Sequence, residues 1–226
     1  MTETQIGGDI ARLLFEAGAI HVSSGQPFSL AAGWASPVYV DCRVLLGERR
    51  LWRAVTDLAT AYVSATFAPD SFDAVAGAET AGIPLAAWFA DRTGLKLRYV
   101  RKRPLGIGRN AQVEGGPVEG LRVLLMDDLT TDGGSKLNFA RGLRAAGATV
   151  EHVLTTFYYD IFPGAAARLQ DAGLTVHSLA TWADILKIGE SRQLTPADSA
   201  AIEQFLADPV DWSKRHGGRA SLSPRV

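Results

Sequence analysis

With 226 residues, 47% of them apolar, the chain is long enough for one large α/β domain or two small ones and apolar enough for a sizeable core. A formal net charge of −1 argues against a nucleic-acid binder, and the single cysteine, Cys42, excludes intramolecular disulfides and multi-cysteine zinc sites. No stretch approaches the roughly 20 uninterrupted apolar residues that span a bilayer, and Met-Thr-Glu-Thr-Gln at the start lacks the pattern of a signal peptide, so the expectation is a cytoplasmic protein with neither membrane nor nucleic-acid partners.

Ile6, Ile10, Leu13, Leu14 and Ala17 recur at helical spacing, and Gly18 supplies a stop. Extended pieces follow at 28–30 and 38–42, separated by Gly33 and Pro37. Leu51, Val55, Leu58, Ala59 and Tyr62 mark a second helix. Beyond it, apolar runs at 72–76, 97–100, 123–126, 150–157 and 174–179 alternate with helical patterns from Ile83, at 137–145 and at 165–172. Five strand candidates alternating with helices predict a parallel sheet covered on both faces. The expected organisation is a single domain over 1–226, with a core at about 44–180 and a C-terminal helix and tail at 181–226. Segment 103–119 holds Pro104, Gly106, Gly108, Gly115, Gly116 and Pro117, and so long a glycine-rich connection is expected to be functional or disordered. The tail after Pro209, with Lys214, Arg215, Arg219 and Arg225 against Asp211, reads as a frayed, solvated end.

The most informative stretch is Leu121 to Ser135. The apolar run Val123, Leu124, Leu125, Met126 ends in two acids, Asp127 and Asp128, and a short loop leads into a helix. In open α/β sheets, ligands bind beyond the carboxyl ends of the strands. A helix N-terminus offers free N–H groups and the positive end of its dipole, which suits a phosphate, and glycines let that backbone approach closely. Paired acids repel a phosphate, so they suit ribose hydroxyls or a magnesium shell. The bland alternative is a turn capped by Asp132 or Ser135. Against it stands the double acid after an apolar strand, a costly arrangement unless something uses the charge.

The string resembles the phosphoribosyl pyrophosphate (PRPP) motif of type I phosphoribosyltransferases: apolar strand, two acids, two residues, then Thr-x-Gly-Gly-Ser. That resemblance implies that Asp127 and Asp128 face the ribose hydroxyls, and that Leu129, Thr130, Thr131, Asp132, Gly133, Gly134 and Ser135 complete the donor site around the 5′-phosphate. Phe28 to Gly33 with Ser36 to Arg43 resembles the base-binding hood of orotate phosphoribosyltransferases, which implies orotate contacts from Tyr39, Arg43 and Thr131 and a hood mainly within 1–43. Gly77 to Pro84 resembles their pyrophosphate loop, placing Ala78, Glu79, Thr80 and Ala81 there. Tyr99-Val-Arg-Lys102 resembles the strand end leading into their mobile catalytic loop, which adds Arg101, Lys102 and Arg103 to the PRPP contacts, and Arg101 and Lys102 to the catalytic set with the two acids. The downstream 157–162 is similar to a bacterial subgroup of the same family.

The resemblance implies the type I phosphoribosyltransferase fold, a central parallel sheet flanked by helices with a small hood. It implies Mg2+-assisted transfer of the phosphoribosyl group from PRPP to orotate, giving orotidine 5′-phosphate and pyrophosphate in de novo pyrimidine synthesis. It also implies a homodimer whose loops complete each other's sites, and it assigns no protein side chain directly to the metal. One departure stands out. The family loop typically carries a lysine three residues after Lys102, often with a histidine two further on, where this chain has Leu105 and Ile107. Arg103 and Arg109 are the candidate replacements. The competing expectations are a PRPP-sensing regulator without turnover and a transferase for another base. The fingerprint-like Gly106 to Ala111 is set aside as a dinucleotide site, because Pro104 precedes it and Gly115, Gly116 and Pro117 follow, leaving no room for the required helix.

Overall fold

The computed structural model describes residues 2–23, 25–104, 106, 111–189 and 194–222. Leu105, Ile107, Arg109 and most of the fingerprint-like segment lie outside the described residues. Helix α1 (Glu3–Glu16) opens on a capping box between Thr2 and Gln5 and buries the expected stripe of Ile6, Ile10, Leu13 and Leu14. Two short antiparallel ribbons follow: β1 (Ile20–Val22) pairs with β4 (Val38–Val40), and β2 (Phe28–Ser29) with β3 (Ala35–Ser36). A 3-10 turn (Cys42–Gly47) leads into α2 (Arg49–Thr66).

The alternating part reads β5 (Ala74–Ala78), α3 (Gly82–Thr93), β6 (Lys96–Val100), β7 (Val113–Glu114), β8 (Val123–Thr130), α4 (Gly134–Ala145), β9 (His152–Tyr158), α5 (Ala165–Asp171) and β10 (Thr175–Thr181). Among the described residues six strands form one sheet in the order β10-β9-β8-β5-β6-β7. All neighbours are parallel except the edge pair β6 and β7. The five expected runs are its five parallel strands, and 123–126 lies within β8, flanked by β9 and β5. Alternation along β8 divides the core: Leu124 and Met126 pack with α1, α2 and α3, whereas Val123 and Leu125 pack with Phe139 and Leu143 of α4 and Leu169 of α5.

Two expectations are corrected. The central strand does not stop at the acids: β8 continues through Asp127 to Thr130, because β9 runs alongside it, pairing Leu129 with Phe157 and Thr130 with Tyr158. Nor is the described part of the tail, up to residue 222, frayed. After α6 (Trp182–Gly189) and α7 (Pro196–Ala207), α8 (Pro209–Arg215) buries Trp212 and Ser213. Aromatic contacts run from Trp34 through Phe162 and Phe205 to Trp212, with ring centroids 4.4, 6.5 and 5.5 Å apart, so apolar burial outweighs the basic charge that suggested solvation. Among the described residues no helix is long and apolar enough to cross a membrane.

Candidate active site

A cleft of about 930 Å³ opens at the carboxyl ends of β5 and β8. Its walls come from the β2–β3 turn (Leu30, Ala31, Ala32), from Tyr39 to Asp41 with Arg43, from the loop Glu79, Thr80, Ala81, and from the segment joining β8 to α4. The sequence separates these pieces widely, and the parallel sheet brings them to one rim.

The two acids are not equivalent. Asp127 is 8% exposed, and both its oxygens are engaged: Oδ1 accepts from the Asp128 N–H at 2.9 Å and Oδ2 from Lys136 Nζ at 2.5 Å. Lys136 is itself buried and also donates to the Leu129 carbonyl at 2.6 Å and to Ser135 Oγ at 3.2 Å. An ammonium buried at this depth requires such a set of acceptors. Asp128 is only partly buried and lines the same cleft, beside Asp127. Burial, and then the charge of Asp127, push Asp128 up to about 7.

Beyond β8 the chain turns into the cradle. Gly133 caps α4 at φ 76, a left-handed conformation that favours glycine, and a Cβ there would lie 2.6 Å from Leu169 Cδ1. Asp132 is buried and does make a local turn bond, its Oδ1 accepting from the Gly134 N–H at 3.0 Å, while Oδ2 accepts from Trp34 Nε1 at 3.0 Å and Arg219 Nη1 at 3.2 Å. Leu129, Thr131, Asp132, Gly134 and Ser135 line the cleft, whereas Thr130 and Gly133 stand behind it.

Opposite lies the loop after β5. Its approach to β8 is close: a Cβ on Gly82 would fall 2.4 Å from the Met126 carbonyl oxygen. Ala78 is buried at the end of β5, and the Glu79–Thr80 peptide is cis. Glu79 Oε2 accepts from the Lys102 N–H at 2.8 Å, and Asn138 Nδ2 donates to the Lys102 carbonyl at 2.8 Å, fixing the backbone where β6 leaves the sheet. Lys102 lines the cleft. Arg101 does not: its guanidinium turns to Glu114 Oε1 at 3.3 Å and the Tyr99 hydroxyl at 3.1 Å. Arg103 is exposed and also outside the lining.

On the remaining wall, Arg43 donates to both Asp41 oxygens, at 2.6 and 2.8 Å, and to the Tyr39 hydroxyl at 3.0 Å. The bidentate pair holds the Asp41 carboxyl below its usual range. Tyr39, Arg43 and Thr131, expected to share one role, do share one cleft.

Among the cleft residues that the sequence reading did not assign are Lys136 and Arg219. Lys136 had a usable signal: Lys136, Phe139, Ala140 and Leu143 follow i, i+3, i+4, i+7, which places the lysine on the buried face of α4. Arg219 had none, since it lies 87 residues from Asp132.

No family model matches the chain. Among curated proteins it is 47% identical over 217 residues to the orotate phosphoribosyltransferase of Rhizobium meliloti (strain 1021), covering 95% of this chain and 93% of that one. It is 46% identical over 215 residues to the Sinorhizobium fredii protein of the same name, again covering 95% and 93%. Among solved structures, the orotate phosphoribosyltransferase of Aeropyrum pernix superposes with a TM-score of 0.68 at 34% identity, over 80% of this chain and 98% of that one. The Leishmania donovani UMP synthase gives a TM-score of 0.76 at 26% identity, over 89% of this chain and 42% of that longer one.

Proposed function

The chain belongs to the orotate phosphoribosyltransferase family, and from that premise we infer how its cleft carries the reaction. The activity is transfer of the phosphoribosyl group from PRPP to orotate, yielding orotidine 5′-phosphate and pyrophosphate in pyrimidine synthesis. One observation supports the assignment of roles above all others: an acid pair on the central strand β8 runs directly into a glycine-turned helix N-terminus, and the 79–81 loop faces both across one cleft.

In this reading the 5′-phosphate rests at the N-terminus of α4, on the 131–135 backbone and the Ser135 hydroxyl. Asp128 receives the ribose hydroxyls, and Asp127, locked by Lys136, holds the strand end in place. Residues 78–81 and Lys102 take the pyrophosphate. Orotate lies between Tyr39, Arg43 and Thr131, so that its N1 can attack C1′ as the bond to pyrophosphate breaks. The dominant electrostatic demand is then on cations beside the leaving pyrophosphate. Neither Arg101 nor Arg103 lines its own cleft, and we assign them to the cleft of a second copy in a homodimer.

Among the described residues no group of three or more His, Cys, Asp or Glu side chains could hold a metal ion. Magnesium, which the family resemblance implies arrives with the donor, would supply charge neutralisation at the leaving group.

A pyrophosphate-release assay with PRPP, Mg2+ and a panel of bases tests the assignment. Release with orotate and not with purines is expected. Tight PRPP binding without release from any base would instead identify a regulator. The loop departure gives a second test. Arg103→Ala or Arg109→Ala should lower kcat by about a hundredfold, the scale of one lost aimed charge. Leu105→Lys should then add little; a large kcat gain from that lysine, with both arginines dispensable, would show that neither arginine fills the role.

A further inference from the structure

The phosphate cradle contains an acid. Asp132 lies between Thr131 and Gly133, borders the cleft and is 3% exposed. A carboxylate in that position opposes a bound phosphate, and more strongly as water is excluded. The counter-charge comes from the far end of the chain. Arg219 Nη1 donates to Asp132 Oδ2 at 3.2 Å and to the Ala32 carbonyl at 3.0 Å. The guanidinium also sits 5.4 Å from the centroid of Trp34, whose Nε1 donates to the same carboxylate oxygen at 3.0 Å. The other oxygen accepts from the Gly134 N–H at 3.0 Å.

The tail is built to place this arginine. The Arg219 N–H donates to the Gly33 carbonyl at 2.9 Å, and the Arg219 carbonyl accepts from Ser213 Oγ at 2.7 Å. Ser213 is fully buried, and its hydroxyl also accepts from the Ala35 N–H at 3.0 Å. The preceding residue must be small: a Cβ on Gly218 would lie 2.3 Å from Ala35 N. A buried serine, a close backbone approach and a helix anchored by Trp212 thus converge on one side chain at the seam between the β2–β3 turn and the cradle.

We propose that Arg219 is a positioning residue for the donor site. It cancels the charge of Asp132 behind the phosphate and holds that carboxylate where it fixes the turn carrying Gly134. It thereby ties the C-terminal tail and the β2–β3 turn to donor affinity. The proposal rests on the assignment of the 5′-phosphate to 131–135. Its rival is that Arg219 pairs with the carboxylate of the acceptor, a contact a guanidinium fork would also suit.

Kinetics with PRPP and orotate varied separately, with calorimetric PRPP titrations and melting curves, separate the two for Arg219→Met, Arg219→Lys and the double variant Asp132→Asn/Arg219→Met. Arg219→Met should raise both the KM and the Kd for PRPP about tenfold or more, as expected for one uncancelled charge, with much smaller changes in kcat and in the orotate KM. Arg219→Lys should recover part of the loss, and the double variant most of it, because the acid that needed cancelling is gone. A rise in the orotate KM alone overturns the proposal in favour of the rival. PRPP constants unmoved in Arg219→Met, or a double variant as weak as the single, also overturn it. Should Arg219→Met fail to fold, the double variant decides: PRPP affinity within about threefold of the parent supports the proposal, and a tenfold loss sinks it. A parent protein that binds no PRPP removes the donor-site assignment itself, an outcome distinct from parent binding that the variants leave unchanged.

Discussion

The two ends of the central sheet hold different kinds of polar group. At the carboxyl ends of β5 and β8, buried acids are paired with cations: Asp127 with the buried Lys136, and Asp132 with the half-buried Arg219. At the opposite end, where β9 and β10 begin, the polar groups are half-buried histidine rings. His152 Nδ1 and His177 Nε2 are 3.1 Å apart, and His177 Nδ1 lies 3.1 Å from the Tyr62 hydroxyl, with Phe67 and Phe72 packed around them. Burial, and then the neighbouring His152, lower His177 to about 4, so this ring is neutral at physiological pH. The cleft end thus keeps a nearly fully buried ion pair, Asp127 with Lys136, whereas the Arg122–Asp73 pair at the opposite end is far more exposed. Buried ion pairs seldom stabilise a fold relative to apolar packing, and the proposed donor site at the cleft would account for pairs kept there.

The sharpest way to break this contrast is Lys136→Met. It leaves Asp127 buried without its cation, and breaking such a pair costs about 3–5 kcal/mol. Urea unfolding should show that loss, and PRPP binding should fall with it, whereas Lys136→Arg should fall between the two. Unchanged stability would mean that Asp127 does not need the lysine.

Asp128→Asn should move stability the other way. The folded-state pKa, about 7, lies above the usual 3.8. The stability contribution of the protonated acid is therefore complete below about pH 4 and is lost as pH rises through about 7. The amide should accordingly gain on the order of 1–3 kcal/mol at pH 8 and nothing near pH 4, while turnover collapses. A variant that is both less stable at pH 8 and still active would contradict the description of the acid pair.

The smallest effect belongs to the histidine end. A histidine whose folded-state pKa is depressed loses stability as pH falls, here between about 6.5 and about 4, because the unfolded chain takes up the proton first. We expect a loss of about 1–2 kcal/mol across that window, and a flatter slope in His177→Gln. The same slope in parent and variant would show that another group titrates there.

What could be read in advance divides along the same physical line. The run from Val123 to Ser135 carries its own explanation, because strand, acids, turn glycine and helix N-terminus are contiguous, and local geometry suffices to align them. The five parallel strands were legible for a similar reason: each is a short apolar run between helical patterns. Lys136 was within reach, one residue past the motif and on the apolar spacing of α4. The clasp by Arg219 was not, since it depends on aromatic packing from Trp34 to Trp212 and on a close backbone approach at Gly218, neither of which leaves a periodic trace. The inward turn of the tail was misjudged because its charge was weighed and its buried tryptophan was not.

The central claim is that the glycine-turned start of α4 binds the donor. Calorimetric titration of PRPP with Mg2+ into the parent and into Gly133→Val tests it most directly. Valine is strained at φ 76, and its Cβ would press against Leu169, so the cradle cannot keep its shape. The account predicts clear binding to the parent and none to a variant whose circular dichroism still shows the fold. PRPP affinity unchanged in Gly133→Val would contradict it.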